Sequence, residues 1–177
     1  MTAEKRILVA GVGNVLNADD GFGVAVANHL MKHVKLPAST KVIETGIGGM
    51  SLIQELMDGY NLLILLDAFK REGEPGQLYF LEPVLPDLSS LSLSERRDYF
   101  ADTHYATPMR ALSLLEHISK MPDIVRIVGC EPKTLQELQI GLSPEVEKAV
   151  EPATRLIHEV ITNFLATGNA ARSSEKL

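Results

Sequence analysis

The chain has 177 residues, of which 45% are hydrophobic and none is tryptophan, and its net charge is −6. This length suits one domain that buries roughly 70% of its unfolded surface, so the core needs neither a disulfide nor a metal. An acidic chain lacks the basic face that nucleic acids and acidic membranes require, which excludes both as partners. The single cysteine, Cys130, indicates a reducing compartment and is predicted to be a buried hydrophobic residue rather than a nucleophile.

Neither a membrane span nor a signal peptide is visible. No stretch approaches the roughly 20 apolar residues that a membrane span needs. The apolar run of residues 7–12 is too short for the core of a signal peptide and ends at Asn14. The sequence therefore predicts a cytoplasmic protein.

Apolar runs and helical stripes alternate along the chain. Residues 7–10, 42–44 and 62–66 are predicted strands, and amphipathic helices follow the first and second of them. A fourth strand over residues 77–81 follows a turn too short for a parallel crossover, so we expect it to run antiparallel to the third. Residues 83–103 show no hydrophobic period and are predicted to form a long surface loop.

The rest of the chain continues the alternation. A third helix is predicted around residues 111–118 and a fifth strand over residues 124–128. The last helix has Ser143 as its N-cap and Pro144 in its first turn, and Gly168 ends it.

This order of elements predicts an α/β fold, a single three-layer domain with a mostly parallel twisted sheet of about five strands and helices on both faces. The domain is expected to span residues 1–167, with residues 168–177 as a disordered C-terminal tail. If the strand order begins 2-1-3, the topological switch point lies between the first and third strands, where such folds bind ligands.

Three polar side chains are expected to converge at that edge of the sheet. Asp20 lies in the loop after the first strand, Asp67 ends the third strand, and His104 precedes the third helix. Burying an ionised carboxylate alone costs several kcal/mol, so Asp67 is expected to have a cation nearby or a shifted pKa. Two carboxylates and an imidazole suit a divalent transition metal. The neighbouring Asp19 is expected to be a solvated acid at the helix start.

Two other site interpretations fail on spacing. The glycines of residues 11–13 suggest a dinucleotide fingerprint with Glu44 as the ribose acid, but Leu16 stands where the motif requires glycine. Acids at the helix start would also repel a pyrophosphate. The zinc-protease pattern H-E-x-x-H begins at His158, but Thr162 holds the position of the second histidine.

The candidate residues belong to a longer series of motifs in fixed order: Gly11-Val12-Gly13-Asn14, Asp19-Asp20-Gly21, Leu66-Asp67-Ala68, His104, Glu131-Pro132 and Leu142-Ser143-Pro144. Together they resemble the [NiFe]-hydrogenase maturation endopeptidases over about residues 6–165. Two positions depart from the family pattern. Residues 44–46 are Glu-Thr-Gly where the family usually has Asp-Gly-Gly, and Thr107 replaces a glycine common three residues after the histidine.

The resemblance implies an activity and a site. The activity is one cut near the C-terminus of the hydrogenase large-subunit precursor, made after nickel insertion. Asp20, Asp67 and His104 are implied to bind metal and to carry the catalytic site, and the metal is implied to be the substrate's nickel rather than a permanently bound ion. The large subunit is then the expected partner, and the enzyme is expected to be a monomer.

The chemistry of hydrolysis remains open at the level of sequence. A metal either polarises the scissile carbonyl or activates a water, and either aspartate can serve as the base. Two alternative functions are a nucleotide-binding oxidoreductase and a non-catalytic metal-dependent maturation chaperone. Nicotinamide binding would favour the first, and tight substrate binding without cleavage would favour the second.

Overall fold

The computed structural model describes residues 5–101, 107–119, 121–135 and 138–171. The strands are β1 (Ile7–Val12), β2 (Thr40–Gly46), β3 (Leu62–Ala68), β4 (Leu78–Leu81) and β5 (Ile124–Cys130). The helices are α1 (Phe22–His33), α2 (Gly49–Leu56), α3 (Leu93–Ala101), α4 (Pro108–Ile118) and α5 (Pro144–Thr167). A 3₁₀ turn over Ala18–Gly21 connects β1 to α1.

The strands form one five-stranded sheet in the order β2-β1-β3-β5-β4. β1 pairs in parallel with β2 and β3, and β3 pairs in parallel with β5. The predicted α/β class, the mostly parallel sheet and the 2-1-3 order are therefore confirmed. β4 runs opposite to the other strands, as predicted, but it pairs with β5 because β5 already occupies the edge of β3.

Helices cover both faces of the sheet. Along β1, Ile7 and Val9 face the side on which α1 and α5 pack, whereas Leu8 and Ala10 face α2 and α4. Successive residues of a strand point to opposite faces, so a strand covered on both sides is apolar throughout. This explains the unbroken apolar run of β3 and confirms the three-layer arrangement.

The prediction of a structureless loop over residues 83–103 is wrong, because α3 lies within it. Its residues are mostly polar and carry no apolar stripe, so the hydrophobic period gave no signal. The helix begins instead with a capping box: the Glu95 N–H donates to Ser92 Oγ at 3.3 Å, and the Ser92 N–H donates to Glu95 Oε2 at 2.8 Å.

Gly168 ends α5 with a φ of +80°, as predicted, but the chain does not leave the domain there. Ala170 is fully buried, and its carbonyl oxygen accepts a hydrogen bond from Arg126 Nε at 3.0 Å. The Asn163 side chain donates to the carbonyl oxygen of Ala171 at 2.9 Å. The expected tail over residues 168–177 is thus corrected: the packed domain reaches Ala171, and residues 172–177 lie outside the described ranges.

The longest helix, α5, has 24 residues. Neither it nor any other helix in the described part of the chain is long and apolar enough to cross a membrane.

Candidate active site

Asp20 and Asp67 lie at the carboxyl edge of the sheet, at the ends of neighbouring strands. Asp67 is the penultimate residue of β3, and Asp20 lies in the 3₁₀ turn that follows β1. This turn sits directly on the strand ends: a Cβ at Gly13, whose φ is +129°, would overlap the carbonyl oxygen of Asp20. A Cβ at Gly23 would likewise overlap the carbonyl oxygen of Leu66. Glycine at both positions therefore allows the two acids to approach each other.

The Asp20 carboxylate is held by the loop that precedes it. The Asn14 N–H donates to Asp20 Oδ2 at 2.8 Å, and the Asn14 side chain in turn accepts a hydrogen bond from the Leu16 N–H at 3.0 Å. The Asn17 N–H closes the turn on the Asn14 carbonyl oxygen at 3.0 Å. Asp20 is half-buried, so one side of its carboxylate is fixed by the protein while the residue remains accessible.

Burial dominates the electrostatics of Asp67. It raises the pKa of this carboxyl to about 7, and the negative charge of Asp20 adds a smaller upward contribution. The Ala68 N–H, which donates to Asp67 Oδ1 at 2.9 Å, acts in the opposite direction. The sequence-based expectation of a shifted pKa is therefore met. A cation shared with Asp20 would stabilise the ionised form of both acids.

His104, the third predicted ligand, lies outside the described residues. The described chain resumes at Thr107, whose hydroxyl oxygen accepts a hydrogen bond from the Arg110 N–H at 3.3 Å and caps α4. Within the described ranges, no group of three or more His, Cys, Asp or Glu side chains is arranged to hold a metal. Asp20 and Asp67 thus form the part of the predicted site that the structure describes.

The neighbouring Asp19 has a different role from the one expected. It is fully buried rather than solvated. Its Oδ2 accepts hydrogen bonds from the Lys133 and Thr134 N–H groups at 2.8 and 3.1 Å, and its Oδ1 accepts one from the Ser143 N–H at 2.6 Å. The Ser143 hydroxyl adds a fourth bond at 3.0 Å. Adjacent residues of a 3₁₀ turn point in different directions, so Asp19 enters the interior while Asp20 reaches the site.

A second buried acid, Glu131, orders the turn that follows β3. Its side chain is almost fully buried, and its Oε2 accepts hydrogen bonds from the Tyr79 hydroxyl at 2.6 Å and the Arg71 N–H at 2.8 Å. The Tyr79 hydrogen bond is the main reason that the pKa of Glu131 is lowered. Sequence reasoning noted the Glu131-Pro132 pair but not this role. The signal available was an acid directly after a buried strand, the same signal that identified Asp67.

Cys130 is the last residue of β5 and is fully buried. Burial raises the pKa of its thiol to about 12, and the nearby charges of Asp19 and Glu131 act in the same direction. Such a thiol is not ionised at neutral pH. The prediction that Cys130 is buried is therefore confirmed, and its raised pKa disfavours a role as a nucleophile.

A groove of about 460 Å³ lies beside Asp20, between the loops that follow β1 and β2. Its lining residues are Gly13, Asn14, Val15, Val24, Glu44, Thr45, Gly46 and Ile47. Glu44 is exposed, and its Oε2 accepts a hydrogen bond from the Asn28 side chain at 2.8 Å. The turn that departs from the family pattern therefore forms one wall of a groove next to the candidate site.

Comparison with known proteins agrees with this architecture. Residues 24–160 match the sequence profile of a family described as hydrogenase maturation protease. The hydrogenase 2 maturation protease of Escherichia coli is 32% identical over 149 residues, which cover 84% of this chain and 85% of that protein. The hydrogenase maturating endopeptidase HybD from E. coli superposes with a TM-score of 0.72 at 29% identity, covering 92% of this chain and 94% of that one. The hydrogenase 2 maturation peptidase of a Thaumarchaeota archaeon gives a TM-score of 0.62 at 32% identity, covering 93% and 99%.

The chain thus has the α/β fold of these endopeptidases, with two acids at the carboxyl edge of a mostly parallel sheet. The chain belongs to the hydrogenase maturation protease family. The predicted family and the predicted enzyme, a protease that acts in hydrogenase maturation, are confirmed. These findings favour the protease over the oxidoreductase and the chaperone.

Proposed function

We propose that this enzyme removes a C-terminal peptide from the large-subunit precursor of a [NiFe] hydrogenase after nickel insertion. We further propose that Asp20, Asp67 and His104 bind the nickel that the substrate carries. The observation that supports this most is the placement of two half-buried carboxylates at neighbouring strand ends, one fixed by Asn14 and one whose pKa is raised to about 7 by burial. The negative charge of Asp20 opposes ionisation of Asp67, and a divalent cation would offset that repulsion.

The proposed nickel is part of the substrate. Two carboxylates and one imidazole form a modest site for a free transition metal, since no thiolate contributes. Nickel that arrives in the precursor would complete the site only when the correct partner is docked. Binding would then align one peptide bond with the site. Specificity would arise because the site is complete only when the correct partner is bound.

Hydrolysis on this site would use water as the nucleophile. Cys130 is excluded as a covalent nucleophile because its thiol is buried and its pKa is raised to about 12. Water would add to the scissile carbonyl carbon, a site carboxylate would accept its proton, and the leaving amine would receive that proton as the C–N bond breaks. The substrate's nickel would lower the barrier as a Lewis acid at the carbonyl oxygen or at the water.

We also propose that the enzyme acts as a monomer in the cytoplasm. Asp20 and Asp67 both come from one chain, so the described part of the site needs no second copy. Cys130 is a free thiol, as expected in a reducing compartment.

The direct test is a mass measurement of a nickel-loaded large-subunit precursor before and after incubation with the purified enzyme. We expect the precursor to lose a single C-terminal peptide, and unfolded casein to remain intact. An unchanged precursor mass in the presence of stable, folded enzyme would contradict the proposed function.

A further inference from the structure

Large apolar side chains remain exposed in the loops that follow β1, β2 and β5 at the carboxyl edge of the sheet, and in the first turn of α2. They are Val15 and Leu16 after β1, Ile47 after β2, Met50 at the start of α2, and Leu138 and Ile140 after β5. Leu138 and Ile140 are 86% and 81% exposed. We call these six side chains the apolar rim. Apolar side chains grouped at one exposed surface are typical of interaction sites.

Backbone hydrogen bonds join the three loops into one surface. The Gly13 N–H donates to the Gly46 carbonyl oxygen at 3.0 Å, which links the loop after β1 to the loop after β2. The Gln139 N–H donates to the Leu16 carbonyl oxygen at 3.0 Å, and the Ala18 N–H donates to the Gln139 carbonyl oxygen at 2.8 Å. The loops that carry the apolar rim therefore lie side by side along this edge.

The pairing at Gln139 also sets the direction of its neighbours. Gln139 forms a parallel bridge with Asn17, so the chain is extended at this point. In an extended segment the side chains of residues i and i+2 lie on the same side. Leu138 and Ile140 are both largely exposed. They thus form an apolar pair on either side of a bridge residue, Gln139, which is hydrogen-bonded to the loop carrying Asp20.

We infer that the apolar rim is the docking surface for the polypeptide substrate and binds an extended segment with apolar side chains adjoining the scissile bond. This inference rests on the proposed function. The apolar rim is continuous with the candidate site: Asn14 holds the Asp20 carboxylate through its N–H and lines the groove beside Val15 and Ile47. A polypeptide that brings a peptide bond to Asp20 would therefore lie against the apolar rim. A second copy of this chain seated there would cover the access to Asp20.

The test compares two double variants in the cleavage of nickel-loaded large-subunit precursor. Leu138→Gln with Ile140→Gln removes the most exposed apolar pair of the rim. The matched control, Met57→Gln with Ile118→Gln, changes exposed apolar side chains at the ends of α2 and α4, on the opposite edge of the sheet. We expect the rim variant to raise KM at least about tenfold with kcat within about twofold of wild type. The control variant should match wild type in both constants.

Each outcome separates the docking surface from the proposed function. If wild type cleaves the precursor and the rim variant has the same KM as the control, the inference is wrong and the proposed function stands. A rim variant that changes a dimer into a monomer in sedimentation, with KM unaltered, would show an interface between copies and would also overturn it. Should wild type fail to cleave, the proposed function and the inference fall together. If the rim variant proves unstable in a thermal melt, Leu16→Gln, which is half-exposed, decides the question by the same KM measurement.

Discussion

The carboxylate of Asp19 is bound to Ser143, 124 residues away in the chain, through both the backbone N–H at 2.6 Å and the side-chain hydroxyl at 3.0 Å. Ser143 is the N-cap residue of α5, yet its side chain makes no capping bond within the helix. Its hydroxyl is instead directed at Asp19. The start of α5 is thereby fastened to the turn that presents Asp20 to the site.

Replacing Asp19 should therefore destabilise the protein strongly. Asp19→Ala leaves three backbone N–H groups and the buried Ser143 hydroxyl without their acceptor, and we expect a loss of about 3 kcal/mol in the free energy of unfolding. Ser143→Ala removes one of the four bonds and should cost about 1 kcal/mol. Urea denaturation of both variants measures the difference. Equal stability of wild type and Asp19→Ala would show that these hydrogen bonds contribute nothing net.

The proposed ligands should be far more sensitive in catalysis than other acids. Asp20→Ala, Asp67→Ala and His104→Ala are each expected to lower cleavage of the nickel-loaded precursor by at least ~100-fold, about 2.7 kcal/mol of activation free energy. Asp58→Asn, an exposed acid after α2 at the opposite edge, is the control and should retain wild-type activity. Initial rates under subsaturating substrate give the comparison. Activity near wild type in any of the three alanine variants would remove that residue from the site.

The raised pKa of Asp67 gives the free enzyme a specific dependence on pH. Its pKa is about 7 in the folded protein, against about 3.9 for an unperturbed aspartate, so the folded state holds a proton that the unfolded state releases. Proton binding by Asp67 therefore favours the folded state. Its contribution to the free energy of unfolding is fully present below about pH 4 and is lost as the pH rises through about 7. The Asp67→Asn variant should lack this part of the pH dependence.

Titration of the Asp67 carboxyl carbon by NMR should show a midpoint near 7, and this midpoint should fall in the Asp20→Asn variant. A midpoint near 4 would contradict the burial of Asp67.

The sequence predicted the sheet, and the position of Asp20 and Asp67 at its carboxyl edge, because their signals are local. β1 and β3 are continuous apolar runs, and Asp67 follows the second of them at once. What the sequence missed depends on contacts between distant residues. Nothing in an Asp-Asp pair tells which acid enters the interior; that is decided by the N–H groups of Lys133, Thr134 and Ser143. The carbonyl oxygen of Ala170 likewise accepts a hydrogen bond from Arg126, which lies 44 residues earlier in the chain.

The thiol of Cys130 should be unreactive in the folded protein. It is fully buried and its pKa is raised to about 12, so both access and ionisation are lacking. A disulfide reagent at neutral pH should label it only as fast as the protein opens, and completely in urea. Cleavage activity should be unchanged in Cys130→Ala after correction for any lost stability. Rapid labelling of the native protein would contradict this account, and loss of activity in a stable Cys130→Ala would assign the thiol a catalytic role.

Nickel seated in the substrate should be required for cleavage. Asp20 and Asp67 form a modest site for a free ion, since hydrogen bonds from Asn14 and Ala68 already occupy one oxygen of each carboxylate. We therefore expect calorimetric titration of the free enzyme with nickel to show binding much weaker than that of the nickel-loaded precursor. Nickel-loaded precursor should release its C-terminal peptide, whereas nickel-free precursor should stay intact even when the enzyme has been soaked in nickel and desalted.

The control is the Asp67→Asn enzyme mixed with nickel-loaded precursor, which measures any peptide release that does not depend on the proposed site. Equal rates on the loaded and nickel-free precursors would mean that the enzyme carries its own catalytic apparatus. The substrate's metal would then have no part in the reaction.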